Sequence, residues 1–166
     1  MSTRLRLLIL AAVSAPCMAQ ATCFDHAEAM YAVPQRLLRA VAQVESGLRD
    51  LPPSRNADGS YDIGIMRINS RWLPSLQRFG ITREALDNPC QNVIVGAWIL
   101  AQNKQRLGAS WNAVGAYNVG CRQLDAAECA RRRSIYSWKV YCAMSFDADA
   151  GCRRRVAGRR LAGLRE

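Results

Sequence analysis

The chain has 166 residues, enough for one folded domain and too few for two of ordinary size. Half of its residues are hydrophobic and they are spread along the chain, which excludes a disordered, low-complexity protein as the starting point. Its formal charge of +10, from 23 Lys and Arg against 13 Asp and Glu, directs it towards polyanionic surroundings without choosing among them.

The N-terminus carries Arg4 and Arg6, an apolar run over 7–13, and small residues ending in Ala19-Gln20-Ala21. This is the three-part pattern of a secretory signal peptide, too short to span a bilayer. It predicts an exported, periplasmic protein whose signal, residues 1–21, is cleaved near Ala21 so that the mature chain starts near Thr22. Cys17 is discarded with the signal, because Pro16 precedes it where a lipid-attachment signal needs a small residue. Six cysteines remain, Cys23, Cys90, Cys121, Cys129, Cys142 and Cys152, and in an exported chain they argue for three disulfides whose pairing the sequence leaves open. No C-x-x-C pair occurs and His26 is the only histidine, so zinc-type spacing is missing and neither a metal nor a cofactor is expected.

In chain order, residues 24–32 read as a short helix ending before Pro34, and Pro34 suits the first turn of a second helix reaching about residue 49. Residues 51–60 are a loop, rich in Pro, Asn, Asp and Gly. Residues 61–69 are ambiguous between strand and turn, with Ile63, Ile65 and Ile68 alternating around Gly64. A short helix over 70–79 has Ser70 as its candidate cap. Asn88 and Pro89 open a helix over 88–107, with Gly108 past its end. That helix is apolar on every side, through Val93, Ile94, Val95, Ala97, Trp98, Ile99, Leu100 and Ala101, and so belongs at the centre of the domain. Ser110 caps a further helix over 111–119, and residues 135–144 form a last one. The fold class is therefore mainly α, one compact helical domain over 22–152 with at most a small β element, stapled by disulfides. A basic tail over 153–166 follows, with Arg153, Arg154, Arg155, Arg159, Arg160 and Arg165. It reads as a solvated segment or as a contact to an anionic surface.

Winding residues 34–49 as a helix puts Leu37, Val41, Val44 and Leu48 on one stripe, flanked by Leu38, with Glu45 between Val41 and Leu38. A carboxylate is thereby aimed at or beside the core, where an unpaired charge is costly. Burial lifts such a carboxyl above the usual carboxylate range, so that it keeps a proton to give, as a general acid for glycosidic cleavage must. The alternative is a helix-surface ion pair with Arg49, four residues on.

Three segments carry a resemblance. Glu45-Ser46-Gly47 after Ala42-Gln43-Val44, then Tyr61-Asp62-Ile63-Gly64-Ile65-Met66-Arg67-Ile68-Asn69-Ser70, then Gly115-Ala116-Tyr117-Asn118-Val119-Gly120 resemble, in order and spacing, the signature segments of lysozyme-like lytic transglycosylases. Cys23-Phe24-Asp25 and Asn88-Pro89-Cys90 leading into Gly96-Ala97-Trp98-Ile99-Leu100 resemble the subset that accompanies type III and type IV secretion systems and pili. The match covers Cys23 to about Gly120.

The resemblance implies a lysozyme-like fold (α+β, mainly helical) and one catalytic carboxyl, Glu45. In the family this acid protonates the bond between N-acetylmuramic acid and N-acetylglucosamine, then acts as base on the muramyl C6 hydroxyl, which attacks to give a 1,6-anhydro product. Tyr117 is implied as the second catalytic residue, orienting Glu45 or the transition state, while Met66, Asn69 and Asn118 line the saccharide groove. Ser46 supports the local helix geometry. Arg67 departs from the pattern, standing where the family carries Gln. It either pairs with Glu45 or binds acidic groups of the substrate. The resemblance also favours a Cys23–Cys90 disulfide. Bland readings stay open beside these: Met66 and Ile68 as core, Asn118 as a cap, Tyr117 as a buried ring, and Gly64 as a turn residue or a point of close approach to glycan.

The implied partners are peptidoglycan glycan strands, with secretion-system or pilus components besides, and no nucleic acid. Three rivals stand against the transglycosylase. One is a lysozyme-type hydrolase with Asp58 or Asp62 as second acid. Another is a silenced wall-binding scaffold with Arg67 as its lesion. The last is a basic protein acting on membranes through its arginine tail.

Overall fold

A computed structural model describes residues 16–145 together with Cys152. The expected signal segment up to residue 15 and the basic tail over 153–166 lie outside these residues. The order of elements is α1 (Pro16–Tyr31), α2 (Gln35–Ser46), β1 (Ser54–Arg55), β2 (Tyr61–Ile63), β3 (Ile68–Asn69), α3 (Leu73–Gln77), α4 (Pro89–Leu107), α5 (Trp111–Gly115) and α6 (Ala126–Met144). Short 3-10 turns at Ser70–Trp72 and Glu84–Asp87 precede α3 and α4.

The centre is α4, which packs against α1, α2, α5 and β3. Its start is fixed as the sequence indicates: the Asn88 side chain accepts from the backbone N–H of Cys90 at 2.9 Å and of Gln91 at 3.1 Å, and Pro89 takes the first helical position. Val93, Val95, Ala97, Ile99 and Leu100 are buried in the same cluster as Phe24, Leu38, Val41, Ile63, Ile65 and Val140. The Cys23–Cys90 disulfide joins α1 to the start of α4 across 67 residues. Cys121–Cys129 and Cys142–Cys152 are cross-links near the two ends of α6, at sequence separations of 8 and 10.

Several expectations change. The second helix ends at Ser46 and not near residue 49, because Gly47 and Leu48 turn left-handed, with φ of 67° and 59°, and the N–H groups of both fold back onto Ala42 and Gln43 carbonyls. The loop over 51–60 contributes β1, which pairs antiparallel with β2 through Ser54↔Asp62 and Arg55↔Tyr61. The ambiguous segment over 61–69 is both strand and turn, since β2 and β3 pair through Ile63↔Ile68 around the bend between them. The last helix starts at Ala126, nine residues before the expected 135, because Asp125 caps it and Glu128 pairs along the helix with Arg131 and Arg132. The cap expected at Ser70 also falls elsewhere: Asn69 accepts from Arg71 N–H, while the Ser70 hydroxyl accepts from Tyr61 N–H.

Candidate active site

Glu45 sits in the last turn of α2. The buried residues of this helix are Leu38, Ala40, Val41, Ala42 and Ser46, so the core stripe is rotated from the expected centre on Leu37 towards Leu38. Glu45 is seven residues from Leu38, about 20° away around the helix axis, and therefore on the line of the core stripe where it runs out towards solvent. Three features hold it there. Gly47 stops the helix just beyond it. Ser46 Oγ donates to Ile65 O at 2.7 Å and to Ala42 O at 3.1 Å, tying the helix end to the bend between β2 and β3. Tyr136, from the middle of α6, donates its hydroxyl to Glu45 Oε1 at 2.5 Å.

Burial raises the Glu45 pKa above the ordinary carboxylate value, and this is the largest influence on it. The Tyr136 hydrogen bond acts in the opposite direction, the charge of Asp62 adds to the rise, and the charges of Arg67 and Lys139 reduce it. The carboxyl also stands at the negative end of the α2 dipole, which disfavours its ionised form. Tyr136 and Tyr117 are both pushed upward by burial and then by the charge of Glu45, so each stays a neutral hydroxyl donor. The half-buried acid therefore faces two fixed phenols, one of them bonded to it.

Arg49 does not pair with Glu45. The early helix end takes it off the helix face, and its Nε donates to Ser46 O at 3.3 Å. Tyr117 lies in the turn after α5 and donates to the backbone carbonyl of Met66 at 2.9 Å. It thus adjoins Glu45 electrostatically while its hydrogen bond goes to the β2–β3 bend. Met66 requires a correction: its side chain is 0% exposed and packs against Gly96 of α4, so it backs the site from the core and does not line a groove. Its contribution is the carbonyl that Tyr117 holds. Asn69 donates to Asp62 Oδ1 at 2.8 Å and to Ser60 Oγ at 3.0 Å, and so fixes the acid nearest in charge to Glu45. Asn118 is exposed on the wall of a cleft of about 1060 Å³ that Tyr136 also lines. Arg67, at φ 51°, reaches away to Pro52 O at 3.3 Å and to the Ser54 hydroxyl, and forms no ion pair with Glu45.

Two residues that hold the site escape the sequence reading. Tyr136 falls inside an expected helix with nothing local to mark it. Asn92 is wholly buried in α4, where its amide donates to Ile63 O and Leu86 O, each at 3.0 Å, and accepts from Met66 N–H at 2.8 Å. It explains Gly64: a Cβ there would lie 2.4 Å from Asn92 Nδ2, and the residue adopts φ 67°. An amide standing directly before the apolar run of α4 was the available signal.

An acid at the end of an amphipathic helix, with a three-stranded sheet beside it and a helical wall opposite, is an arrangement suited to cleaving a glycan chain. The chain belongs to the transglycosylase SLT domain family, the lytic transglycosylases, whose family model matches residues 22–137. It is 45% identical over 124 residues to the invasion protein IagB of Salmonella typhimurium, covering 74% of this chain and 77% of that protein. It is also similar to a peptidoglycan-binding-like protein of Escherichia coli O157:H7, at 35% identity over 131 residues, covering 74% and 76%. Protein IpgF of Shigella sonnei is 39% identical over 106 residues, covering 63% and 70%.

Proposed function

We propose that this enzyme cleaves the β-1,4 bond between N-acetylmuramic acid and N-acetylglucosamine in peptidoglycan, leaving 1,6-anhydromuramyl ends. The observation that carries the reading is Glu45: one half-buried carboxyl, raised above the ordinary carboxylate value and held by a neutral tyrosine, where the sequence resemblance puts the family acid. Glu45 gives its proton to the glycosidic oxygen as the C1–O bond breaks, and Tyr136 steadies the carboxylate that remains. That carboxylate then takes the proton of the muramyl C6 hydroxyl while O6 bonds to C1. The acid is restored, and no water is consumed.

The hydrolase reading needs a second acid. Asp58 is engaged elsewhere, bonded to Ser60 and to Arg71 at 2.8 Å, and these contacts hold its pKa down. Among the described residues, Asp62 is the carboxylate whose charge acts on Glu45, and Asn69 already occupies one of its oxygens. Mass analysis of products from purified sacculi separates the two: 1,6-anhydro ends support the transglycosylase, whereas reducing ends alone replace it with the hydrolase.

The same reading places the enzyme in the periplasm, opening the wall locally for a secretion or pilus apparatus. Its support is the N-terminal signal pattern and the likeness to a protein named for invasion. Fractionation of cells producing the tagged full chain tests the location; recovery in the cytoplasm with residues 1–21 still attached would overturn it.

A further inference from the structure

The cleft beside Glu45 is strongly basic. Five of its 13 lining residues are Lys or Arg (Arg71, Arg122, Arg131, Arg132 and Lys139), against 23 of 166 in the whole chain. Among the described residues Asp58 is the one acid in the lining, and Arg71 holds it. Just outside, Glu128 serves both Arg131 and Arg132, one negative charge against two positive. Exposed Arg122 makes no ion pair among the described residues.

The cations converge by construction. Arg132, Tyr136 and Lys139 are spaced four and three apart on α6, so they share one helix face, with a cation on each side of the tyrosine that holds Glu45. The Cys121–Cys129 disulfide, with Cα atoms 5.5 Å apart, pins the loop bearing Arg122 to the turn of α6 that leads into Arg131 and Arg132. A cross-link thus gathers side chains from two segments onto one wall. Arg67, the cation that the sequence offered for substrate acids, is tied to Pro52 and Ser54 instead.

An uncharged sugar chain gives no use for such a field. Intact peptidoglycan carries its carboxylates on the peptide stems attached through the muramyl lactyl group. We propose that this cleft binds the stem carboxylates, so that the enzyme selects glycan strands bearing anionic stems; this rests on the transglycosylase reading above. Arginine is suited to the role, since its planar fork binds carboxylate in two parallel hydrogen bonds.

The test divides one preparation of sacculi and converts the stem carboxyls of one half to amides, which keeps the stems and removes their charge. At low salt the wild-type protein should release soluble muropeptides about fivefold faster from the untreated half, a factor typical of a few partly exposed charge contacts. The ratio should fall towards one in about 0.5 M salt and in the Arg122→Gln/Arg132→Gln protein. The single Arg122→Gln protein, altered at an exposed position, serves if the double variant fails to fold. Equal wild-type rates on the two halves, or a ratio that neither variant nor salt changes, would overturn the proposal while leaving the cleavage reaction standing. If neither half yields 1,6-anhydro ends, the reaction itself fails. Cosedimentation of the Glu45→Gln protein with both halves then decides stem binding separately, and equal binding rejects it.

Discussion

Tyr136 Oη lies 2.5 Å from Glu45 Oε1, a contact between residues 91 apart in the chain that joins α6 to the end of α2. The donor favours the ionised carboxyl, so it restrains the rise that burial imposes. Tyr136→Phe should lower kcat by about tenfold through loss of positioning, and should move the basic limb of the pH–rate profile upward because the acid then holds its proton longer. A basic limb that stays in place, measured on soluble glycan strands, would show that the contact does not govern the acid. Tyr117→Phe should cost less, since its hydroxyl binds the Met66 carbonyl and not the carboxyl.

Glu45→Gln keeps the side-chain size and an acceptor for Tyr136 but has no proton to transfer. Release of muropeptides should fall by at least about 10²-fold, with the circular dichroism spectrum unchanged. Full activity in a folded Glu45→Gln protein would remove Glu45 from the mechanism.

The same substitution should stabilise the fold. A carboxyl whose pKa is raised on folding favours the native state below its unfolded pKa, and loses that contribution as pH rises through the folded value. Ionised Glu45 is therefore a cost at neutral and higher pH. The Tm of Glu45→Gln should exceed that of wild type by about 1–3 °C near pH 8, and the two should converge near pH 4. Equal melting curves at both pH values would mean that the carboxyl is not desolvated.

Arg67 lowers the Glu45 pKa by charge alone, less than burial raises it and less than Tyr136 lowers it. Arg67→Gln should shift the basic limb upward, because the cation that favours the ionised carboxyl is removed. It should also loosen the approach to β1, whose Ser54 and the preceding Pro52 both accept from this side chain. A downward shift would reverse the sign of this account.

Asn92→Ala should be the most destabilising of these changes. It orphans the Met66 N–H and the Ile63 and Leu86 carbonyls in the interior, at about 1–3 kcal/mol for each buried group left unsatisfied. Urea unfolding should show the loss. Activity should fall as well, because the same amide fixes the bend that carries the Met66 carbonyl to Tyr117.

The sequence by itself determined the helical class, the burial of α4 with its Asn88, Pro89 and Gly108 boundaries, and the anomaly of Glu45, because periodicity and caps act within a few residues of each other. It marked Glu45, Tyr117 and Asn118 through local segments, and the Cys23–Cys90 pairing through the likeness those segments carry. Only the tertiary structure decided what surrounds the acid. Ile135 and Tyr136 both read as ordinary helix residues, and only the packing of α6 against α2 turns Tyr136 to Glu45. Met66 occupies a signature segment yet points into the core, because Asn92 and Gly96 of α4 set the path of the bend around it. The basic wall likewise exists only once the Cys121–Cys129 cross-link brings Arg122 beside α6. Contacts between residues far apart in the chain depend on which faces the whole core leaves for one another, and no local pattern encodes that choice.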